Sequence, residues 1–331
     1  MKKLVYILPL LVLFGCSEEK LSAKFNLSGV EGELFQQNRT ATFPVEHNGD
    51  GVVILNDGNV VSNSNQLNFN QFDFGVHKVR MAVYRGEDTT DAEFRVTVIP
   101  SESPTSVQYE IVNTYPHPEE LFTQGLILDG DMVLESSGQY GESALSVYKL
   151  GSDEIIQQHK VPGSWFAEGL AILGDTLFQV TWKRGEGQTY YWDGTKFEVT
   201  RAFRYQNREG WGLTSLNGML LWTDGSEKLR FVDPQDMSIQ RTVKVLSDLG
   251  WFANLNELEM YNGRVAANLW QTSRIAFINP ENGLVDHVLD LNELADRHRN
   301  AGVLNGMMVN GENLIVTGKN WPVMYELKLT W

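Results

Sequence analysis

Five short phrases along the chain each place a polar or indole side chain two residues ahead of a closing apolar one. These are Gln124 before Leu126, Glu168 before Leu170, Trp211 before Leu213, Asn256 before Leu258 and Asn305 before Met307. A carboxylate can take up and return a proton, and amide N–H groups can donate to a polar ligand. Lys319 adds an ammonium group, and Trp182, Trp270 and Trp321 add further indoles at strand ends or repeat starts. Other familiar constellations are absent. The six histidines are scattered, with no His-x-His or His-Glu-x-x-His, no Gly-x-Ser-x-Gly elbow and no phosphate loop. Zinc hydrolysis, serine hydrolysis and nucleotide binding therefore find no support.

The spacing says what must hold these residues. Leu126, Leu170, Leu213, Leu258 and Met307 follow one another at 44, 43, 45 and 49 residues, a period that belongs to propeller blades. After each phrase a short turn leads into a run rich in β-branched and aromatic residues, as in residues 175–182 and 263–270, so each repeat reads as antiparallel strands. Five repeats predict an all-β fold, a five-bladed β-propeller over residues 107–331. The innermost strand of every blade faces a central channel, so equivalent positions converge on one axis. Purely structural blades would repeat one small or apolar residue there; here the chemistry changes at each turn. Any single tryptophan of such a fold can be a blade-packing residue, but four beside Gln124, Glu168, Asn256 and Lys319 point to a site. Residues 109–113 and 325–329 are the expected seam between first and last strands. Residues 290–299 read as one helix, with capping-box spacing from Asp290 to Glu293 and Gly302 beyond its end.

Upstream the texture differs. Residues 25–100 alternate apolar and polar residues in short runs broken by Asn, Asp and Gly, which predicts a small immunoglobulin-like β-sandwich without a reacting constellation. Residues 101–106 read as a linker. At the start, Lys2-Lys3, an apolar run from Leu4 to Phe14 and Leu13-Phe14-Gly15-Cys16 form a signal peptide over residues 1–15 with a lipobox. The run is about half the ~20 residues of a membrane span. Cys16, the only cysteine, is expected to carry the lipid, with residues 16–24 as a tether and Ser17 favouring the outer membrane, facing the periplasm, over the inner. No disulfide or cysteine–metal site then remains. Losing Lys2 and Lys3 leaves 25 basic against 42 acidic residues, a formal −17, which argues against nucleic acid and anionic headgroups as partners. The expected state is a monomer.

The segments at residues 122–126, 135–141, 168–170, 211–214, 224–226, 255–259, 267–272, 303–306 and 316–322, in this order and spacing, resemble the plant and bacterial glutaminyl-peptide cyclotransferases of the papaya-latex type. The likeness covers nearly all of residues 107–331. It departs at Gln139, where the family tends to have Leu, and at Ala167, where a Gly usually precedes the glutamate. Neither change removes a reacting group, though Gln139 bears on the rim. The resemblance implies conversion of an N-terminal glutaminyl residue of a peptide or protein to pyroglutamyl, with release of ammonia. Glu168 matches the family's catalytic glutamate, and Phe122, Gln124, Trp182, Trp211, Asn256, Trp270 and Lys319 match its pocket residues. On chemical grounds one carboxylate can shuttle the proton from amine to leaving nitrogen. Lys319, the amides of Asn256 or Gln124, or an indole N–H can serve the oxyanion. No cofactor and no catalytic metal are expected, and a structural ion in the channel is left open. Two other readings stay open at this point: a propeller that only binds peptides or an envelope partner, and a metal-dependent hydrolase or lactonase using Asn256, Asn305, Glu257 and Glu168 around calcium.

Overall fold

A computed structural model describes residues 19–30, 32–206 and 209–331. The expected signal peptide and Cys16 lie outside the described residues. The described residues divide into two compact units, one of those up to residue 71 with 76–97, the other of residues 72–75 and 98–331.

The first unit is built on a five-stranded sheet with the strand order Leu34–Gln36, Asp88–Ile99, Gly75–Arg85, Gly51–Asn56, Asn59–Ser62. Two short pairs accompany it, Ala23–Phe25 with Val45–His47 and Thr40–Thr42 with Gln66–Asn68. Among the described residues the first strand begins at Ala23, inside the expected tether. Alternation along Gly51–Asn56 buries Val52 and Ile54, which share a core with Phe43, Leu67, Phe69 and Met81.

The second unit contains three four-stranded antiparallel sheets and one eight-stranded sheet. The first runs Thr123–Asp129, Met132–Ser137, Ala144–Lys149, Ile155–Lys160. The second runs Ala167–Leu173, Thr176–Thr181, Glu186–Trp192, Phe197–Arg204. The third runs Leu213–Leu216, Met219–Trp222, Lys228–Val232, Ile239–Lys244. The eight-stranded sheet joins two such sets. Leu255–Tyr261, Arg264–Leu269, Arg274–Ile278 and Val285–Asp290 form one half; Leu304–Asn310, Asn313–Gly318, Val323–Thr330 and the early strand Thr105–Pro116 form the other. Thr105–Pro116 is shared. Residues Thr105 to Val107 pair in parallel with His287 to Leu289, and the rest pairs antiparallel with the last strand, Tyr109 opposite Leu329 and Thr114 opposite Tyr325. The seam forms where expected, and it also begins at Thr105, within the segment read as linker.

The five strands beginning at Thr123, Ala167, Leu213, Leu255 and Leu304 touch one another in that order, and the last returns to the first. Apolar clusters lie between neighbouring sets of four strands. Leu134, Val147, Leu170 and Tyr190 fill the first interface, and Leu126, Tyr148, Met308 and Met324 close the circuit. Each fully buried side chain of this size contributes about 1.5–3 kcal/mol, so the ring is held by packing between sheets. Glycine at the second position of the repeated phrase lets the inner strands approach: a Cβ on Gly169 would stand 2.5 Å from the Trp211 carbonyl oxygen. Glu257 takes that place in the fourth phrase and is buried inside the ring. Burial, and then the charge of Glu259, push its carboxyl well above the usual range.

The helix is shorter than its sequence pattern suggests. It spans Asn292–Asp296, with Leu291 at the N-cap and no side-chain cap. Asp290 ends a strand instead, and its Oδ1 accepts the Asn292 N–H at 2.9 Å, a local turn that competes with the capping box.

Candidate active site

Antiparallel pairing sets the end of the ring at which the site forms. The start of each inner strand lies beside the end of the next strand: Thr123 opposite Ser137, Ala167 opposite Thr181, Leu255 opposite Leu269, Leu304 opposite Gly318. Residues at phrase starts and just past second strands are therefore neighbours. Phe122, Gln124, Phe166, Glu168 and Asn256 come from the first group, Trp182, Trp270 and Lys319 from the second, and Trp211 from the approach to Leu213–Leu216. Together they line one cavity of about 170 Å³. This is below the ~300–1,000 Å³ of sites for drug-sized ligands and suits a single side-chain-sized group.

The pairing is irregular where the polar residues sit. Register shifts fall between Thr123 and Gly125, Ala167 and Leu170, Leu255 and Leu258, and Leu304 and Met307. Such bulges re-aim side chains at the end of a sheet, which is how Gln124, Glu168 and Asn256 face the cavity.

Hydrogen bonds order the polar floor. Asn305 Nδ2 donates to Gln124 Oε1 at 3.1 Å and to the Thr123 carbonyl at 3.0 Å; Gln124 Nε2 then donates to Glu168 Oε1 at 3.0 Å. Asn305 thus orients Gln124 from behind and does not line the cavity. Asn256 is buried, and its Oδ1 takes no hydrogen bond from the described protein groups. Burial drives the Glu168 carboxyl well above the usual carboxylate range; Lys319 pulls it down and Glu209 pushes it up. Burial also lowers the Lys319 ammonium, against the opposing pull of Glu168. Lys319 Nζ stands 4.8 Å from the centre of the Phe122 ring.

The walls are aromatic. Trp211 and Trp270 meet edge to face at 5.3 Å, and Phe166 meets Trp182 at 5.6 Å. The Nε1–H groups of Trp182 and Trp211 both donate to Glu209 Oε2, at 3.2 and 3.0 Å. Those two indoles are engaged, so the candidate donors for an oxyanion are Lys319, the amides of Asn256 and Gln124, and the Trp270 indole.

Not every expected residue is here. Trp321 is fully buried, donates to the Gly302 carbonyl at 2.8 Å and stacks on His298, so it is a packing residue. Glu257, Glu259 and Gln139 do not line the cavity. Among the described residues no group of three or more His, Cys, Asp or Glu could hold a metal ion. A larger groove of about 660 Å³ beside Tyr109 and Arg297 lacks enclosing aromatic walls. Sequence reasoning missed Phe166 and Glu209. Phe166 precedes Glu168 by two residues as Phe122 precedes Gln124, so strand periodicity and the repeat both mark it.

Residues 80–329 match the family described as glutamine cyclotransferase. The chain belongs to this family. The match begins before residue 107, within the strand Gly75–Arg85. A glutaminyl-peptide cyclotransferase from Arabidopsis thaliana is 36% identical over 230 residues, 67% of this chain and 71% of that protein. The crystal structure of Myxococcus xanthus glutaminyl cyclase aligns with a TM-score of 0.63 at 33% identity, over 68% of this chain and 98% of that one.

Proposed function

We propose that this chain is a glutaminyl-peptide cyclotransferase, converting N-terminal glutaminyl residues of peptides or proteins to pyroglutamyl with release of ammonia. The observation that carries this is the convergence of Glu168, Gln124, Asn256, Lys319 and three indoles on one small cavity in a member of that family. The glutaminyl side chain folds against the aromatic walls, which exclude water and hold amine and carboxamide close. The α-amine attacks the γ-carbonyl carbon, a C–N bond forms, and Glu168 takes the amine's proton. A carboxyl raised by burial is suited both to accept that proton and to give it back. The oxyanion faces Lys319 and the Asn256 amide. The tetrahedral species collapses as Glu168 returns the proton to the departing nitrogen, the old C–N bond breaks and ammonia leaves. No step in this scheme requires a metal. Asn256 Oδ1 offers an acceptor for the carboxamide N–H, which a glutamyl side chain lacks.

In this reading the sets of four strands are five propeller blades, supported by the closed circuit of inner strands, and the first unit is a small immunoglobulin-like sandwich. The protein acts as a monomer anchored by lipid at Cys16 in the outer membrane, facing the periplasm. Incubation of purified protein with a Gln-initiated peptide should produce a species lighter by one ammonia. A peptide returned unchanged at saturating concentration would favour the binding-module reading.

A further inference from the structure

Trp182 and Trp211 enter the cavity from different sheets, one leaving Thr176–Thr181 and the other approaching Leu213–Leu216. An indole wall is useful only if its plane is fixed, and edge-to-face contacts alone leave it free to slide. Here both Nε1–H groups converge on one oxygen of one carboxylate, Glu209 Oε2. Trp211 in turn sets Trp270, and Trp182 sets Phe166, through their edge-to-face contacts. One side chain therefore governs the orientation of two walls directly and two more through them.

We infer that Glu209 is a positioning residue of the cyclisation site: its carboxylate clamps the Trp182 and Trp211 indoles and sets a fixed negative charge beside Glu168. The inference rests on the function proposed above. The charge has two consequences. It stabilises the positive charge that the α-nitrogen gains as it attacks, before Glu168 takes its proton. It also holds the Glu168 proton to higher pH, in opposition to Lys319. The other groups facing Glu168 are the Gln124 amide, which donates to it, and Tyr205, whose phenol burial pushes up to about 12 and whose hydroxyl donates to the Thr181 carbonyl. Neither carries a charge at neutral pH, so Lys319 and Glu209 set the local field.

Two variants of the full chain separate clamp from charge. Glu209→Gln keeps a carbonyl oxygen that can accept both indole N–H groups but is neutral; Glu209→Ala has neither. With a Gln-initiated peptide, Glu209→Gln should retain more of the alkaline-plateau kcat than Glu209→Ala, and its acid limb of kcat/KM should move to lower pH. The substrate amine is common to both enzymes, so a shift between them belongs to the protein. Glu209→Ala should lose kcat/KM on the order of 10²-fold, as for a wall displaced by about 1 Å, with altered near-UV circular dichroism and unchanged far-UV spectra. An unmoved acid limb in Glu209→Gln overturns the charge role. Wild-type kcat/KM in Glu209→Ala overturns the clamp. If the wild type forms no pyroglutamate, the proposed function fails; the clamp is still read from the near-UV spectrum of Glu209→Ala, and unchanged indole bands would overturn it.

Discussion

Replacing Gly212 with alanine tests the close approach of the inner strands on which the cavity depends. A Cβ there would stand 1.8 Å from the Asn256 carbonyl oxygen, 2.7 Å from its carbon and 2.9 Å from Leu258 Cγ, where ordinary contact begins at 3.4 Å. The obstacle is backbone, so no rotamer change relieves it. Gly212 N–H also donates to Thr223 Oγ1 at 2.9 Å, and that hydroxyl donates to the Asn256 carbonyl at 3.1 Å, so separating the strands breaks this bridge too. Overpacking costs about 1–3 kcal/mol, and a backbone clash belongs at the upper end, about 3 kcal/mol. For a domain of this size that lowers Tm by roughly 6–12 °C. Moving the strand also moves Asn256, so kcat/KM should fall by about 10²-fold. Gly163→Ala is the control, its Cβ meeting only Gly141 Cα at 3.7 Å. Thermal unfolding by circular dichroism and turnover on a Gln-initiated peptide read both effects. A Gly212→Ala enzyme with Tm and turnover equal to those of Gly163→Ala would refute the reasoning.

Lys319→Met removes a proposed oxyanion donor and should cost about 10²–10³-fold in kcat, while its acid limb moves to higher pH, opposite in sense to Glu209→Gln. Glu135 accepts from Tyr148 at 2.6 Å and from His117 at 2.9 Å, all buried, and His117 also reaches the Trp321 carbonyl beside the Lys319 turn. Breaking that cluster with Glu135→Leu should destabilise the fold by about 3–5 kcal/mol in denaturant unfolding. Burial alone would lower His117, but Glu135 and the Trp321 carbonyl hold it above its ordinary value. Its stabilising contribution is therefore complete below about pH 6.5 and fades as pH rises through the raised value; Glu135→Leu, which leaves burial opposed mainly by the Trp321 carbonyl, should invert that dependence. Dialysis against a chelator should leave the initial rate within about twofold; loss of activity restored by zinc without a change in folding would contradict the proton-shuttle scheme.

How far the sequence reaches is clearest at the repeated phrase. Leu126, Leu170, Leu213, Leu258 and Met307 are all buried on inner strands, because a repeat that must pack the same neighbour keeps the same apolar position. Gln124, Glu168 and Asn256 were legible as convergent for the same reason. What sequence spacing cannot show is contact across sheets. Glu209 sits 27 residues from Trp182 in a polar stretch before Gly210, at no repeated position that would mark it, yet it receives two indoles. Trp182 and Trp270 come one residue after their strands, a place Lys319 holds in the last repeat; Trp321 comes three after, and Gly302 and His298 hold it in the core. The pairing of Thr105–Val107 with His287–Leu289 joins residues about 180 apart, and no local signal marks it. The helix is shorter than its sequence pattern because Asp290 accepts the N–H of Asn292, two residues on, and remains in a strand.

The central claim, that Glu168 moves the proton in a cyclisation, is tested most directly by one comparison. Wild type and Glu168→Gln, matched by circular dichroism, are given a Gln-initiated peptide, and pyroglutamyl product is followed by mass with ammonia release in parallel. Glutamine keeps the side chain's size and can still accept the Gln124 N–H, but it has no basic site. Wild type should release one ammonia per pyroglutamyl formed, and Glu168→Gln should be slower by roughly 10²–10⁴-fold, with substrate binding affected less. A Glu168→Gln enzyme that turns over at near the wild-type rate would contradict the account.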